Sequence, residues 1–367
     1  MPYLAVFVLT HADVDHCRGF EDLLAQVAIG ELWVTPRLWR EYLDEGVELS
    51  APAEAFRQEA ERRITATMDA GEDGPESGDR ILVIGYDTDH DTHAYSELPD
   101  QYLAWPGSSV PTLDGVDCTG KFEAFLHAPF KDDCAKARND TSVAMQVTLA
   151  DGTGTGKFLL FGDLAAATVG RIIEVSIASG NDHRLAWDVL LAPHHCSKHA
   201  VYENDEVRQD ILDALEANAR PGARVVSSSH PFRDADTTGD NPPHLKARDR
   251  YQEIVDDLVL CTMEHGSAEA PSAVVFELDN DGLHLLEPAL VEASARSVEK
   301  GFTGQPGRLG VVASKAAQYA QRMSAAAPGW WRPAQPGTPG ADRLGQAVVT
   351  DRGDDTAPTT AVGFGKR

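Results

Sequence analysis

The feature that most constrains this chain is a short apolar run that ends in a cluster of imidazole and carboxylate groups. The run Tyr3-Leu4-Ala5-Val6-Phe7-Val8-Leu9 predicts a buried strand, because it is short and rich in residues that favour strands. The next residues place two histidines and two aspartates within six positions. A tight loop at the end of a rigid strand holds such groups close together, as divalent metal ions require. The sequence therefore predicts four metal ligands here: His11, Asp13, Asp15 and His16.

Two later apolar runs also end in groups that bind metals. Phe158-Leu159-Leu160-Phe161 precedes Gly162-Asp163, and Val189-Leu190-Leu191-Ala192 precedes Pro193-His194-His195. Each run predicts a core strand, so three strand ends that carry ligands can converge on one edge of a sheet or sandwich. The pattern adds Asp163 and one or both of His194 and His195 to the ligand set.

Taken together, these segments resemble the metallo-β-lactamase fold, in its ComEC-like branch of competence-protein hydrolase domains. The spacing H-x-D-x-D-H is similar to the H-x-H-x-D-H signature of that fold, with Asp13 at the second position. Arg138-Asn139-Asp140-Thr141-Ser142-Val143 resembles the Asn-containing turn of this branch, and Phe158 to Asp163 resembles its strand that ends in Gly-Asp. Val189 to Ser197 resembles the strand that ends in His-His-Gly-Ser, with Cys196 in place of the glycine.

The resemblance implies an α/β (α+β) fold, a four-layer αββα metallo-β-lactamase sandwich over residues 1–292. Family members usually have strands before the first motif, whereas Met1 lies only ten residues before His11. We therefore expect a sandwich that lacks its N-terminal strands, or a natural start upstream of Met1. The resemblance also implies two Zn²⁺ ions, with Mn²⁺ or Fe as alternatives that the harder ligand Asp13 favours.

By resemblance, the chain is a metal-dependent hydrolase that acts through a metal-activated water on a phosphodiester, a nucleotide or nucleic-acid-like molecule. Asp15 is the candidate general base, because the Asp of the family's D-H pair binds one metal and can orient the attacking water. His244 is the candidate substrate or phosphate contact, with helix capping as its alternative. His127 is the nearest candidate for a middle histidine of the family, with an ordinary core or surface histidine as its alternative.

Composition limits the partners. The chain has 58 acidic and 32 basic residues and a formal charge of −26. This charge disfavours non-specific binding to nucleic acid or to anionic membranes. Five scattered cysteines without paired spacing favour a reducing cytoplasm. The sequence contains no apolar run long enough to span a membrane.

Residues 293–367 predict a largely disordered C-terminal tail, because Pro, Gly and Ala dominate there. The tail carries Trp330-Trp331, which is predicted to pack against the folded domain, with a contact for a protein partner as the alternative. The alternative to a hydrolase is therefore a truncated or non-catalytic scaffold of the same fold that binds a protein.

The remaining pattern predicts several helices. Residues 20–70 are predicted to be helical, with Ala53 to Met68 as one helix, and the ranges Val201 to Ala219 and Lys246 to Leu258 predict two more. Asp87 to His93 is dense in groups that bind metals, but no strand end fixes them, so a solvated loop is predicted.

Overall fold

A computed structural model of the chain describes residues 2–44, 46–85, 93–130, 138–237, 239, 241–265 and 272–286. Contacts divide the chain into two units. The first consists mainly of residues 3–272 and 277–284, and the second mainly of 273–276 and 285–367. The predicted tail 293–367 lies outside the described residues, as do Cys134 and the predicted loop from Asp87 up to residue 92.

The elements are numbered in chain order. The strands are β1 (Tyr3–Val8), β2 (Ala28–Val34), β3 (Arg80–Ile84), β4 (Leu103–Ala104), β5 (Ser109–Val110), β6 (Thr112–Leu113), β7 (Val116–Asp117), β8 (Phe122–Ala128), β9 (Ala144–Asp151), β10 (Gly154–Leu160), β11 (Trp187–Leu191), β12 (Tyr202–Glu203), β13 (Glu206–Val207), β14 (Ala219–Ser227), β15 (Leu260–Cys261), β16 (Val275–Asp279) and β17 (Gly282–Leu286). The helices are α1 (Val14–Cys17), α2 (Phe20–Gln26), α3 (Arg37–Trp39), α4 (Ala51–Ala70), α5 (Ala166–Ala178), α6 (Pro193–Cys196), α7 (Gln209–Asn218) and α8 (Leu245–Gln252). Short 3-10 turns occur at Gly71–Asp73, Ala94–Glu97, Asp100–Tyr102, Arg138–Thr141, Asp182–Leu185 and Lys198–Ala200, and a π-helical turn at Arg40–Asp44.

Two large sheets organise the first unit. One has four strands in the order β1-β2-β3-β4, all parallel. The other has seven strands in the order β15-β14-β11-β10-β9-β8-β5, in which β10, β11, β14 and β15 run parallel and β5, β8, β9 and β10 run antiparallel. The chain is therefore a mixed α/β protein.

Buried apolar residues form three clusters around these sheets. One cluster joins the four-stranded sheet to α2 and α4, and another joins the seven-stranded sheet to α5, α7 and α8. A third cluster contains residues of both sheets, such as Trp33 and Leu82 from one and Leu126 and Met145 from the other. The two sheets therefore share buried apolar contacts, and each also has helices against it.

The helix α4 shows how local sequence sets these contacts. Ser50 caps it by accepting a hydrogen bond from the Ala53 amide at 3.4 Å. Phe56, Ala60 and Ile64 recur at a spacing of four residues and are all buried, which gives the apolar stripe of an amphipathic helix.

Three of the sequence predictions are wrong. Residues 20–70 are not helical throughout, because β2 (Ala28–Val34) lies between α2 and α4. The predicted helix Val201 to Ala219 is a hairpin, β12 and β13, followed by the shorter helix α7. The predicted helix Lys246 to Leu258 ends at Gln252. Among the described residues, no helix combines the length and apolar character needed to cross a membrane.

Candidate metal centre

The ends of three strands bring the predicted ligands together. His11 follows β1, Asp163 follows β10, and His194 follows β11. The loops are joined through their backbones, because the Val143 amide donates to the Thr10 carbonyl at 3.1 Å and the His194 amide donates to the Gly162 carbonyl at 2.9 Å. Strands of both sheets therefore contribute to one site.

Asp163 lies at the centre of the site and is 4 % exposed. Its two oxygens are surrounded by the Nε2 atoms of four histidines: His16 at 3.3 Å from Oδ1, His194 and His195 at 3.7 Å from Oδ2, and His11 at 3.8 Å from Oδ2. A single carboxylate thus contacts both pairs of histidines that the sequence predicts.

The site has two sides. Asp15, His16, Asp163 and His195 form a group whose ligand atoms all lie within 4.8 Å of one another, and this group could hold a metal ion. On the other side, Asp13 Oδ2 lies 3.4 Å from His11 Nε2. His194 also approaches Asp163, so both members of the His194-His195 pair face the same carboxylate.

Two observations fit a metal ion in this place. The Nε2 atoms of His11 and His16 are buried and have no hydrogen-bond partner, although carboxylate oxygens lie 3.3–3.9 Å away. Buried polar nitrogens without a partner are costly in a folded protein. Two ligands that are each about 2.1 Å from a tetrahedral ion lie about 3.4 Å apart, so the observed spacing matches that of ligands around a shared ion.

Neighbouring groups set the direction of the imidazole rings. The Thr10 hydroxyl lies 3.1 Å from Nδ1 of both His11 and His16, and the Ser142 hydroxyl lies 3.2 Å from Nδ1 of His11. His195 Nδ1 donates to the Ser228 carbonyl at 2.8 Å. Because Nδ1 is occupied in these three rings, Nε2 is directed to the carboxylates, as is usual for histidines that bind metals.

The turn that carries His194 and His195 has a strained backbone. His194 and His195 have φ of 50° and 54°, and Cys196 has φ of 63°. Three consecutive residues with side chains in the left-handed region cost about 1–2 kcal/mol each. Strain of this kind is kept where the surrounding structure fixes it, and it is typical of functional sites.

Gly162 permits the close approach of two of these loops. Its φ is +54°, and a Cβ atom at this position would lie 2.7 Å from the Ser142 Cβ. The Ser142 hydroxyl accepts a hydrogen bond from the Asp163 amide at 3.2 Å. The Gly-Asp pair therefore lets the central carboxylate and Ser142 be fixed together.

The charges of the site stabilise each other. Burial alone would raise the pKa of Asp163, but its contacts with His16, His11 and His195 lower it to about 2. Burial opposes protonation of His195, yet Asp15 and Asp163 raise the pKa of that imidazole to about 9. For His194, burial dominates and lowers the pKa. The chain alone thus presents ionised carboxylates, which is the state in which they bind cations.

His244 and His127, the two other residues with a predicted role, lie outside the group of ligands. His244 is 1 % exposed, its Nδ1 accepts the Lys198 amide at 3.2 Å, and its own amide donates to the Cys196 carbonyl at 3.1 Å. It therefore supports the turn next to His195, and its role as a substrate contact stays a prediction. His127 Nε2 donates to the Arg184 carbonyl at 3.1 Å, and the Ser176 hydroxyl lies 3.3 Å from its Nδ1. None of the contacts described for His127 involves the ligand cluster.

The sequence predicts no role for several residues of the site: Thr10, Ser142 and Ser228, which contact the rings, Arg138, which contacts Asp13, and Glu41, which contacts Arg138. The signal for Thr10 and Ser142 was their place in the motifs, directly before His11 and within the segment Arg138 to Val143. Comparison of the chain with protein-family models, with curated proteins and with solved structures finds no match.

Proposed function

We propose that this chain is a metal-dependent hydrolase with two ions at one site, built on a four-layer αββα sandwich of the metallo-β-lactamase type. The observation that carries the proposal is the Asp163 carboxylate, which lies within 3.8 Å of four imidazole nitrogens. A carboxylate in this position suits a ligand that is shared between two cations.

Imidazole and carboxylate ligands suit Zn²⁺, Mn²⁺ and Fe. Asp15, His16 and His195 would hold one ion, His11, Asp13 and His194 would hold the other, and Asp163 would serve both. A divalent cation held in this way supplies Lewis-acid activation of water and of the scissile group. Zn²⁺ is the first choice, and the third carboxylate makes Mn²⁺ the main alternative.

The charge of the site favours an anionic substrate. Asp13, Asp15 and Asp163 carry three negative charges, and histidines that bind a metal are neutral. One divalent cation would leave the site negative, whereas two would make it positive by one charge. In a chain with a net charge of −26, a loaded site of positive charge would attract an anion, which supports a phosphodiester substrate.

Asp15 is the group that we assign to orient the attacking water. Its side chain is 30 % exposed, so a water can reach it from solvent. Its Oδ2 lies 3.1 Å from His195 Nε2, so these two atoms can face one ion, and the second carboxylate oxygen is left for a water.

The experiment is to measure metal content of the full chain by elemental mass spectrometry, with hydrolysis of a chromogenic bis-aryl phosphodiester assayed on the same samples. We expect about two ions per chain in the wild type and loss of activity together with metal in His16→Ala. Asp163→Asn should lower occupancy of both ions, because it removes charge from the shared ligand.

A matched control is His284→Ala. His284 Nε2 lies 3.3 Å from Asp279 Oδ1, the same distance as His16 Nε2 from Asp163 Oδ1, but it is 51 % exposed and is not a predicted ligand. This variant should keep metal and activity. Metal without turnover would remove the phosphodiester substrate from the proposal. A folded wild-type chain that binds neither Zn²⁺ nor Mn²⁺ would refute the hydrolase and favour the scaffold.

A further inference from the structure

Arg138 lies beside the proposed centre and joins it to a distant segment. Its Nε donates to the two Glu41 oxygens at 2.8 Å and 3.0 Å, and its Nη2 also donates to Glu41. Its Nη1 donates to Asp13 Oδ1. The guanidinium therefore bridges two carboxylates that lie 97 and 125 residues away in the chain.

The two oxygens of Asp13 have different partners. Oδ1 accepts from Arg138, while Oδ2 lies 3.4 Å from His11 Nε2. Asp13 is also the N-cap residue of α1, yet its side chain makes no capping hydrogen bond. An aspartate at this position ordinarily accepts a backbone amide of the first helical turn. Its carboxylate is thus directed away from the helix and toward Arg138 and the histidines.

Glu41 is suited to hold the guanidinium in place. Its side chain is 6 % exposed, on the π-helical turn Arg40–Asp44, whereas that of Arg138 is 26 % exposed. An arginine bound through two of its nitrogens by one buried carboxylate is fixed in plane and direction. Lysine has a single nitrogen and cannot reproduce this fork.

We propose that Arg138, fixed by Glu41, is a positioning residue that holds Asp13 so that one oxygen alone is offered to the ion on the His11 side. This inference rests on the proposed metal centre. Groups that orient a ligand in this way typically change metal affinity by 10–100-fold when they are removed. None of the contacts described for Arg138 involves Asp15, His16 or His195, so the ion that these three residues would hold should be little affected.

The test is a titration of the full chain with Zn²⁺ against a chromophoric chelator, which separates the two binding steps, with Co²⁺ absorption as a report on ligand geometry. We expect Arg138→Met to weaken one step by 10–100-fold, to leave the other within about threefold, and to change the Co²⁺ spectrum. Glu41→Gln should act in the same direction with a smaller effect. Arg138→Lys should restore only part of the affinity.

The matched control is Arg208→Met. The Arg208 guanidinium also bridges two carboxylates, of Glu203 and Asp210, and its side chain is 23 % exposed, but neither partner is a predicted ligand. This variant should bind both ions normally. If Arg138→Met fails to fold, Glu41→Gln and Arg138→Lys, which keep size and most packing, decide the question by the same titration.

The outcomes separate this inference from the proposed function. A wild type with two ions and an Arg138→Met variant with both affinities unchanged would overturn the positioning role alone. Equal weakening of both steps would also overturn it, because the bridge would then support the whole site. A wild-type chain that binds no ion would overturn the metal centre and the inference together.

Discussion

A buried acid outside the proposed metal centre, Glu31, is expected to lower the stability of the folded chain as the pH rises above 4.5. Glu31, on β2, is 8 % exposed, and its Oε2 accepts the Asp114 amide at 2.9 Å. Burial, with a further contribution from the Asp114 carboxylate, raises its pKa from 4.5 to about 7. At 1.36 kcal/mol per pKa unit, keeping Glu31 ionised in the folded chain costs roughly 3 kcal/mol.

Proton linkage sets the direction in which the stability of the folded chain changes with pH. The folded state binds more protons than the unfolded state between pH 4.5 and about 7, so this group lowers stability as the pH rises through that window. Glu31→Gln keeps an oxygen that can accept the Asp114 amide and removes the charge. We therefore expect the variant to gain stability relative to the wild type by roughly 3 kcal/mol between pH 5 and pH 8.

The assay is equilibrium urea unfolding of both full-length chains at several pH values, in the presence of a chelator so that metal binding does not contribute. Comparison at each pH cancels the titration of groups common to both chains. Glu123→Gln is the control, because the Arg184 guanidinium lowers the pKa of Glu123 and its variant should change in the opposite direction. A difference between Glu31→Gln and wild type that does not vary with pH would refute the reasoning.

Three further predictions concern single positions. Ser142→Ala removes the hydroxyl that contacts the Asp163 amide and the His11 ring. A calorimetric titration with Zn²⁺ should therefore show 10–100-fold weaker binding, and an unchanged affinity would contradict the orienting role of Ser142. Gly162→Ala places a Cβ atom 2.7 Å from the Ser142 Cβ, at a φ of +54°. This variant should lower the free energy of unfolding in urea by about 1–3 kcal/mol. An equally stable variant would show that the two loops can move apart. Burial lowers the pKa of His127 to about 4, so this group reduces stability as the pH falls from 6.5 toward 4. His127→Gln should therefore unfold at a lower pH than wild type in an acid titration, and an unchanged midpoint would contradict this.

The ligand segments could be predicted because each is local. An apolar run that is followed directly by metal-binding residues can be recognised in the sequence. Parallel neighbours such as β10 and β11 bring their carboxyl ends to the same edge of the sheet. The sequence left the choice between His194 and His195 open, and the structure brings both to Asp163. Both histidines have a left-handed backbone, and because neither is a glycine, the sequence does not indicate this conformation.

The strand β2 could not be predicted for a reason that lies elsewhere in the chain. Ala28-Ile29-Gly30-Glu31 has a glycine and an acid where a buried strand would be apolar. Both are explained by Asp114, because a Cβ on Gly30 would lie 2.4 Å from its carboxyl carbon, and Glu31 accepts its amide. A contact between residues 83 positions apart in the chain favours this glycine and this acid in the strand. A pattern of neighbouring residues therefore could not predict β2.

The hairpin of β12 and β13 did carry a local signal. Asn204 and Asp205 have φ of 51° and 63°, as in a two-residue turn between antiparallel strands. The apolar stripe of α7 predicts a helix but does not mark its first residue, so the predicted helix extends too far toward its N-terminus.

The convergence of ligands from both sheets has a mechanical consequence. Asp15 and His195 are 180 residues apart in the chain, and an ion bound by both would close a loop of that length. Cross-links that close long loops restrict the unfolded ensemble, as disulfides do, with gains of a few kcal/mol that grow slowly with loop length. An ion in this place would act as a reversible cross-link between the loops that follow β1 and β11, so its removal by a chelator would weaken the connection between the two sheets as well as the proposed hydrolysis.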